Sequence, residues 1–163
     1  MNRYRTVTGR KISRVLRLIV FRLYMTLRVL WAPTSFGVAA AVYDDLGRVL
    51  LVRQRYTAGW RLPGGGVDRG EAAQAAILRE LAEEVGLVGG EARFFALYTR
   101  KAGWATAVVA LYSIDGAAVN FRPNLEIRDV CFADPLSPPD GCTPATLRRL
   151  QELTGASPPS HHW

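Results

Sequence analysis

Three glutamates crowd the end of one helix-forming stretch. From Gly65 the chain runs through five free positions to Glu71, then seven more to Arg79-Glu80. Leu81 follows, then one free position, Glu83-Glu84, another free position and Gly86-Leu87. Helix positions three and four apart are neighbours, so Glu80, Glu83 and Glu84 share one sector. Ala75, Leu78, Leu81, Ala82 and Val85 are expected on the opposite side as an apolar stripe. Helix stability alone does not select such an acid face. Like charges four apart cost about 0.2–0.5 kcal/mol per pair, and acids near a helix C-terminus oppose its dipole. A divalent cation removes both penalties. Hard carboxylate oxygens on a short arc suit Mg²⁺ or Mn²⁺, held together with substrate phosphates and water. A solvated helix face explains two glutamates equally well; the glycines, Glu71, Arg79 and Gly86 in register with them favour the metal.

Several elements must position that face. Tyr56 to Gly66 reads as a loop, with turn residues Gly59 and Pro63 and three consecutive glycines at its end. The helix is expected from Gly70 to Val85, stopping at Gly86 as a C-cap. Upstream, Gly37–Tyr43 and Val49–Gln54 read as a strand pair joined by the turn Asp44-Asp45-Leu46-Gly47. Downstream, strands are expected near 93–100, 104–113 and 127–132. Pro144 opens a last helix through Leu153, with Thr143 as its N-cap. This order fits an α/β fold, a mixed sheet flanked by helices as an α/β/α sandwich.

The 65–87 run, with Trp60-Arg61-Leu62-Pro63-Gly64 before it, resembles the signature box and lead-in of the Nudix hydrolases at every fixed position. The resemblance runs more loosely from Phe36 to Leu153. It implies the same sandwich and a metal-dependent pyrophosphohydrolase that cuts a phosphoric anhydride in a nucleoside diphosphate linked to another group. It implies Glu80 and Glu84 as metal ligands, Glu83 as ligand or base, and the carbonyl of Gly64 or Gly65 completing the site. Which carboxylate is the base varies within the family. Arg79 and Glu71 read as supports for the catalytic carboxylates, with Glu71 against the positive end of the helix dipole. Asp129 is the candidate outer metal ligand, with Glu126 close by in sequence, and an ordinary strand-edge acid is the alternative. Arg53, Arg55, Tyr56 and Trp60 are candidates to bind phosphate and a base or sugar, as is Trp104 for stacking. Core packing and solvated charge are the competing explanations for those residues.

The chain has 163 residues and a net charge of +7. Residues 1–31 hold Arg3, Arg5, Arg10, Lys11, Arg14, Arg17, Arg22 and Arg28 with no acid, a charge of +8. The rest is therefore near neutral, and the basic pI gives no reason for the body to bind nucleic acid sequence-specifically. The expected division is a basic amphipathic segment over 1–33, a catalytic domain over 34–155 and a flexible tail over 156–163. Cys131 and Cys142 are too few and too far apart for a zinc site, and no disulfide is expected. A reducing cytoplasm is the expected location. His161 and His162 belong to a Pro/Ser tail expected to fray.

Arg10 to Trp31 reads as one amphipathic helix, with Ile12, Leu16, Ile19, Leu23, Leu27 and Leu30 on one side and arginines on the other. It would run about 33 Å, but arginines interrupt every apolar stretch and argue against a transmembrane span. Cleavage at Ala39-Ala40-Ala41 would remove part of a needed strand, so secretion is not expected. The apolar side needs a cover: the catalytic body, a second copy as a homodimer, or peripheral contact with an anionic membrane. Packing against protein is expected slightly ahead of the membrane. Other readings are an RNA 5′ pyrophosphohydrolase, a non-catalytic or membrane-docking binding module, and an organellar targeting peptide at 1–31. The complete box argues against lost catalysis.

Overall fold

The computed structural model describes residues 16, 19–24, 26–27 and 33–163. Six strands and two helices form the body: β1 (Thr34–Val42), β2 (Val49–Gln54), β3 (Trp60–Arg61), α1 (Ala73–Val85), β4 (Leu87–Ala102), β5 (Ala105–Val119), β6 (Ile127–Ala133) and α2 (Pro144–Leu153). One sheet has the order β1-β5-β4 and the other β3-β2-β6. β1 runs parallel to β5, from Thr34 opposite Thr106 to Val42 opposite Ile114, whereas β4 and β5 are antiparallel. The first sheet is thus mixed, as expected.

β1 and β2 show how the layers are stacked. Alternate residues of a strand point to opposite faces, and Val38–Val42 of β1 and Val49–Val52 of β2 are buried on both faces. Val38, Ala40, Val42, Leu50 and Val52 pack with Ile77, Leu81 and Val85 of α1. Ala39, Ala41, Val49 and Leu51 pack with Tyr98, Leu111 and Leu150 of α2 on the other side. Strands covered on both faces read as continuous apolar runs, which is how both appear in the sequence. The result is the expected α/β/α sandwich.

Four local expectations need correction. β1 and β2 do not pair as a hairpin; they lie in different sheets, with an isolated bridge between Tyr43 and Val49 at the turn that joins them. The reason is that both edges of β1 are taken. β5 occupies one, and the 63–67 segment occupies the other through Ala40 N to Pro63 O (3.0 Å), Val38 N to Gly65 O (2.9 Å) and Val67 N to Phe36 O (3.0 Å). Trp60-Arg61, placed in a loop by its neighbours, pairs with Val52 and Arg53 as β3. The helix begins at Ala73 rather than Gly70, and its buried residues are Ala76, Ile77, Leu81, Glu84 and Val85. Ala75 and Ala82 are exposed. Fourth, the 156–163 segment is docked rather than frayed: Thr99 N donates to His161 O (3.1 Å), Trp163 N to Thr99 O (3.0 Å), and Arg149 to the His162 carbonyl (3.1 Å).

The helix ends behave as their residues dictate. Gly86, at φ 65°, takes the left-handed conformation and its N–H closes onto the last turn of α1. Thr143 caps α2 by accepting from Thr146 N, with Pro144 just inside. In the N-terminal segment, Leu16, residues 19–24, Thr26 and Leu27 are helical and exposed. Its large apolar side chains among these are 48–59% exposed, so the body does not cover them. Ile12, Leu30 and Trp31 lie outside the described residues. Among the described residues, no helix is long and apolar enough to cross a membrane.

Candidate active site

Arg79 organises the acid face. Its guanidinium grips Glu71 with two parallel hydrogen bonds, Nε to Oε1 and Nη2 to Oε2, both 2.9 Å. The remaining arm, Nη1, donates to Glu80 Oε1 at 2.9 Å, and Nη2 also reaches Gly66 O at 3.1 Å. Glu71 precedes the helix rather than starting it, and its Oε2 also accepts from Asp68 N at 2.9 Å. Charge-assisted forks of this kind fix geometry as well as adding energy. The pair of hydrogen bonds from Arg79 and the Asp68 N–H hold the Glu71 carboxyl down at about 2, and the same pairing raises Arg79. One arginine thereby ties the glycine loop, the turn before the helix and the first box carboxylate together.

Glu84 is the unusual member. It is three positions from Leu81 and seven from Ile77, so helix geometry puts it on their side. It is only 4% exposed and accepts a hydrogen bond from Gly64 N at 2.9 Å. Burial pushes its carboxyl up to about 7; the charges of Glu80 and Glu126 add to the rise, while the Gly64 N–H and Gln54 oppose it. Glu83 lies further out, 64% exposed at its side chain, with Arg79 Nη1 at 3.6 Å. The acid face expected opposite the core is therefore a ramp, from exposed Glu83 through half-buried Glu80 to buried Glu84.

The glycine loop lies directly against this ramp. A Cβ on Gly65 would collide with the Glu80 carboxylate, and one on Gly64 with the Val38 carbonyl. No residue with a side chain lets the loop approach the helix so closely. Gly65 O accepts from Val38 N, which uses one of its lone pairs and leaves the other. Among the described residues, no group of three or more acidic, histidine or cysteine side chains is drawn together at metal-holding spacing. The available donors, Glu80 and Glu84 on either side of one glycine loop, are all oxygen, the chemistry that Mg²⁺ and Mn²⁺ favour.

The other candidates divide. Arg53, Arg55 and Tyr56 line one open cleft of about 430 Å³ together with Arg128. Trp60 does not join them: it is 9% exposed in the core, with Arg53 stacked 4.3 Å over its ring. Strand alternation turns Trp60 inward and leaves Arg61 facing a second cleft. Trp104 sits exposed at the β4–β5 turn, away from both clefts. Asp129 is turned to Arg128 (2.8 Å), and Glu126 is the acid whose charge reaches Glu84. Cys131 and Cys142 are free thiols that burial pushes up, as expected for packed rather than reactive cysteines.

Two residues escaped the sequence reading. Asn124 Nδ2 donates to the Glu84 carbonyl (2.9 Å), while its Oδ1 accepts from Ile127 N (2.7 Å) and Glu126 N (3.0 Å). It pins the last turn of α1 to the start of β6. Gln54 lines both clefts and helps to hold the Glu84 carboxyl down against the rise that burial causes. A lone amide between apolar runs carries no sequence signal of its own, and only the fold brings either residue to the helix.

Comparison with known proteins agrees with this arrangement. The chain matches the NUDIX domain over residues 33–136. It is 44% identical over 51 residues to an RNA pyrophosphohydrolase of Shewanella loihica, covering 31% of this chain and 29% of that protein. It is 39% identical over 68 residues to an RNA pyrophosphohydrolase of Pseudomonas paraeruginosa, covering 42% of this chain and 41% of that protein. The chain thus spans less than half the length of these curated relatives. Its fold is similar to a MutT NUDIX hydrolase of Burkholderia pseudomallei, with TM-score 0.65, 24% identity, and coverage of 74% of this chain and 98% of that one. It is also similar to an ADP-ribose pyrophosphatase of Streptococcus suis, with TM-score 0.54, 26% identity, and coverage of 79% and 95%. With the domain matched over well more than half its length and the box folded around Arg79, Glu80 and Glu84, the chain belongs to the Nudix hydrolase family.

Proposed function

We propose that the protein is a divalent-metal-dependent pyrophosphohydrolase acting on a nucleoside diphosphate linked to another moiety. The buried Glu84 carboxylate, set beside Glu80 and against the Gly64–Gly65 loop, is the observation that carries this reading. Glu80 has the Arg79 guanidinium beside it, but Glu84 is buried next to Glu80 with no ion pair of its own, which is costly; a hard dication is the partner its oxygens fit. Glu80 and Glu84 would hold Mg²⁺ or Mn²⁺, with the carbonyl of Gly64 or Gly65 and the more exposed Glu83 as further donors. When bound, the ion supplies charge neutralisation for the anhydride oxygens and acidifies water. Arg79 and Glu71 keep Glu80 in place. Whichever of Glu83 and Glu84 is left unligated is suited to accept a proton. Arg53, Arg55 and Tyr56 bind phosphate and the attached group from the neighbouring cleft, with Trp60 as a packed backing to Arg53.

A panel of nucleotide-linked pyrophosphates, assayed with and without Mg²⁺ in ¹⁸O-water, tests this. The expected products both end in phosphate, with label in one of them. Release of a free base or sugar lacking phosphate would place the reaction in another class. An RNA 5′ pyrophosphohydrolase is the second reading. The names of the Shewanella and Pseudomonas relatives and the cluster of Arg53, Arg55 and Arg128 in one cleft favour it. Including 5′-triphosphorylated RNA in the panel separates the two.

A reducing cytoplasm fits two free thiols. For the N-terminal segment, contact with an anionic membrane surface now takes precedence over packing against protein. Of its apolar side, the described residues Leu16, Ile19, Leu23 and Leu27 are exposed, and two copies each carrying +8 over 1–31 would repel.

A further inference from the structure

A second cleft, of about 470 Å³, opens on the other side of the glycine loop. Gly64 and Gly65 form one wall, Gly37, Val38 and Val109 of the mixed sheet line it, and Arg61, Arg100 and Trp163 close it. Trp163 reaches this place only because the 156–163 segment is docked. A buried polar cluster does the docking. Arg149 is fully buried, pairs with Glu152 at 2.6 Å, lies 3.9 Å over the Tyr98 ring and bonds Ser160 and the His162 carbonyl. Tyr98 Oη donates to the other Glu152 oxygen at 2.7 Å. Buried ion pairs return little net stability, and one established use of such groups is to specify a single conformation. What this cluster specifies is the position of Trp163, whose ring meets Tyr98 edge-on at 5.5 Å. Arg61 adds a guanidinium whose Nε is buried and has no hydrogen-bond partner, and Arg100 is exposed on β4.

We propose that Trp163 is the stacking wall of a subsite for the aromatic base of a nucleotide, with Arg61 and Arg100 as its cationic partners. A planar base has a face for the indole and ring acceptors for the guanidiniums. The glycine wall is shared with Glu80 and Glu84, so a base held here leaves its phosphates beside the carboxylates. The subsite deepens the pyrophosphohydrolase reading and rests on it for its place in a reaction.

Binding measured on the full chain tests the subsite apart from catalysis. ADP and inorganic pyrophosphate are titrated by calorimetry, in Mg²⁺, into the parent, Trp163→Ala, Trp163→Phe and Arg100→Gln. Trp163→Ala is expected to weaken ADP about tenfold, which is about 1.4 kcal/mol, and to leave pyrophosphate unchanged. Trp163→Phe should keep ADP within about threefold of the parent, since a smaller ring still stacks. Because Trp163 also packs on Tyr98, the alanine variant is expected to melt lower. Arg100→Gln, at an exposed position, should weaken ADP without moving the melting temperature. Equal weakening of both ligands in Trp163→Ala would make the residue a prop for the glycine loop and overturn the subsite. So would unchanged ADP affinity in that variant, or no ADP binding by the parent. Should the parent hydrolyse no anhydride while ADP binding still depends on Trp163, the activity reading fails and the subsite stands.

Discussion

Glu84 concentrates the chemistry of the box in a single side chain. It is buried, held by Gly64 N and crowded by the charge of Glu80, so its ionised form is costly without a partner. Glu84→Gln and Glu80→Gln keep volume and remove charge. Each is expected to lower turnover by about a hundredfold or more, with circular dichroism and melting temperature close to the parent's. Parent-like rates in both at saturating Mg²⁺ would remove this face from the metal site. Glu71 makes a different prediction, because Arg79 holds its carboxyl at about 2 against an ordinary 4.5. A depressed acid stabilises the fold above its unfolded value and loses that contribution as pH falls through the folded one. The melting-temperature gap between the parent and Glu71→Gln should therefore be constant above pH 5. It should close as pH falls from about 4.5 to 2, and a gap that persists at pH 2 would show that the charge is not its source.

Elements, rather than single residues, decide whether those oxygens meet. The α1 carboxylates reach the glycine loop because 63–67 runs along the edge of β1 opposite β5, and because Asn124 ties the last turn of α1 to β6. The final carbonyls of a helix have no partner within it, and Asn124 satisfies one of them. Asn124→Ala leaves that carbonyl and two β6-side amides short of a bond, at about 1–3 kcal/mol. For a domain of this size, a drop of roughly 2–4 °C per kcal/mol in melting temperature is expected. A fall in turnover should accompany it, since Glu84 rides on the same turn. Unchanged stability would make the Asn124 bonds incidental. Spacing made both helices, their caps and most strands readable, because local apolar period and capping chemistry set them. The partners of β1 were not readable, because a turn sequence suits a hairpin whether or not another strand already holds the edge.

At the scale of the whole molecule, charge is separated from catalysis. The segment 1–31 carries +8 while the remainder is near neutral, and Leu16, Ile19, Val20, Leu23 and Leu27 are exposed on its helical part. Each basic residue near an anionic leaflet contributes about 1 kcal/mol, screened by salt. The full chain is therefore expected to sediment with phosphatidylserine-containing vesicles at low salt, and to be released by high salt. Phosphatidylcholine vesicles should retain much less. Equal retention by both lipids, or a stable dimer that ignores vesicles, would replace this picture with one of protein packing.

The sequence by itself carried the resemblance of the 65–87 box, the clustering of three glutamates on one helix and the sandwich class. All of these follow from spacing along one chain segment or from the apolar period of each element. Only the tertiary structure decided which carboxylate is buried, that Asp129 pairs with Arg128, and that Trp60 is core. It also brought Asn124 to the Glu84 carbonyl, and Gln54 and Trp163 to the cleft beside the glycine loop. These depend on contacts between residues far apart in the chain, and a polar tail ending in histidines and a tryptophan looks frayed until a buried Arg149–Glu152 pair is found holding it down.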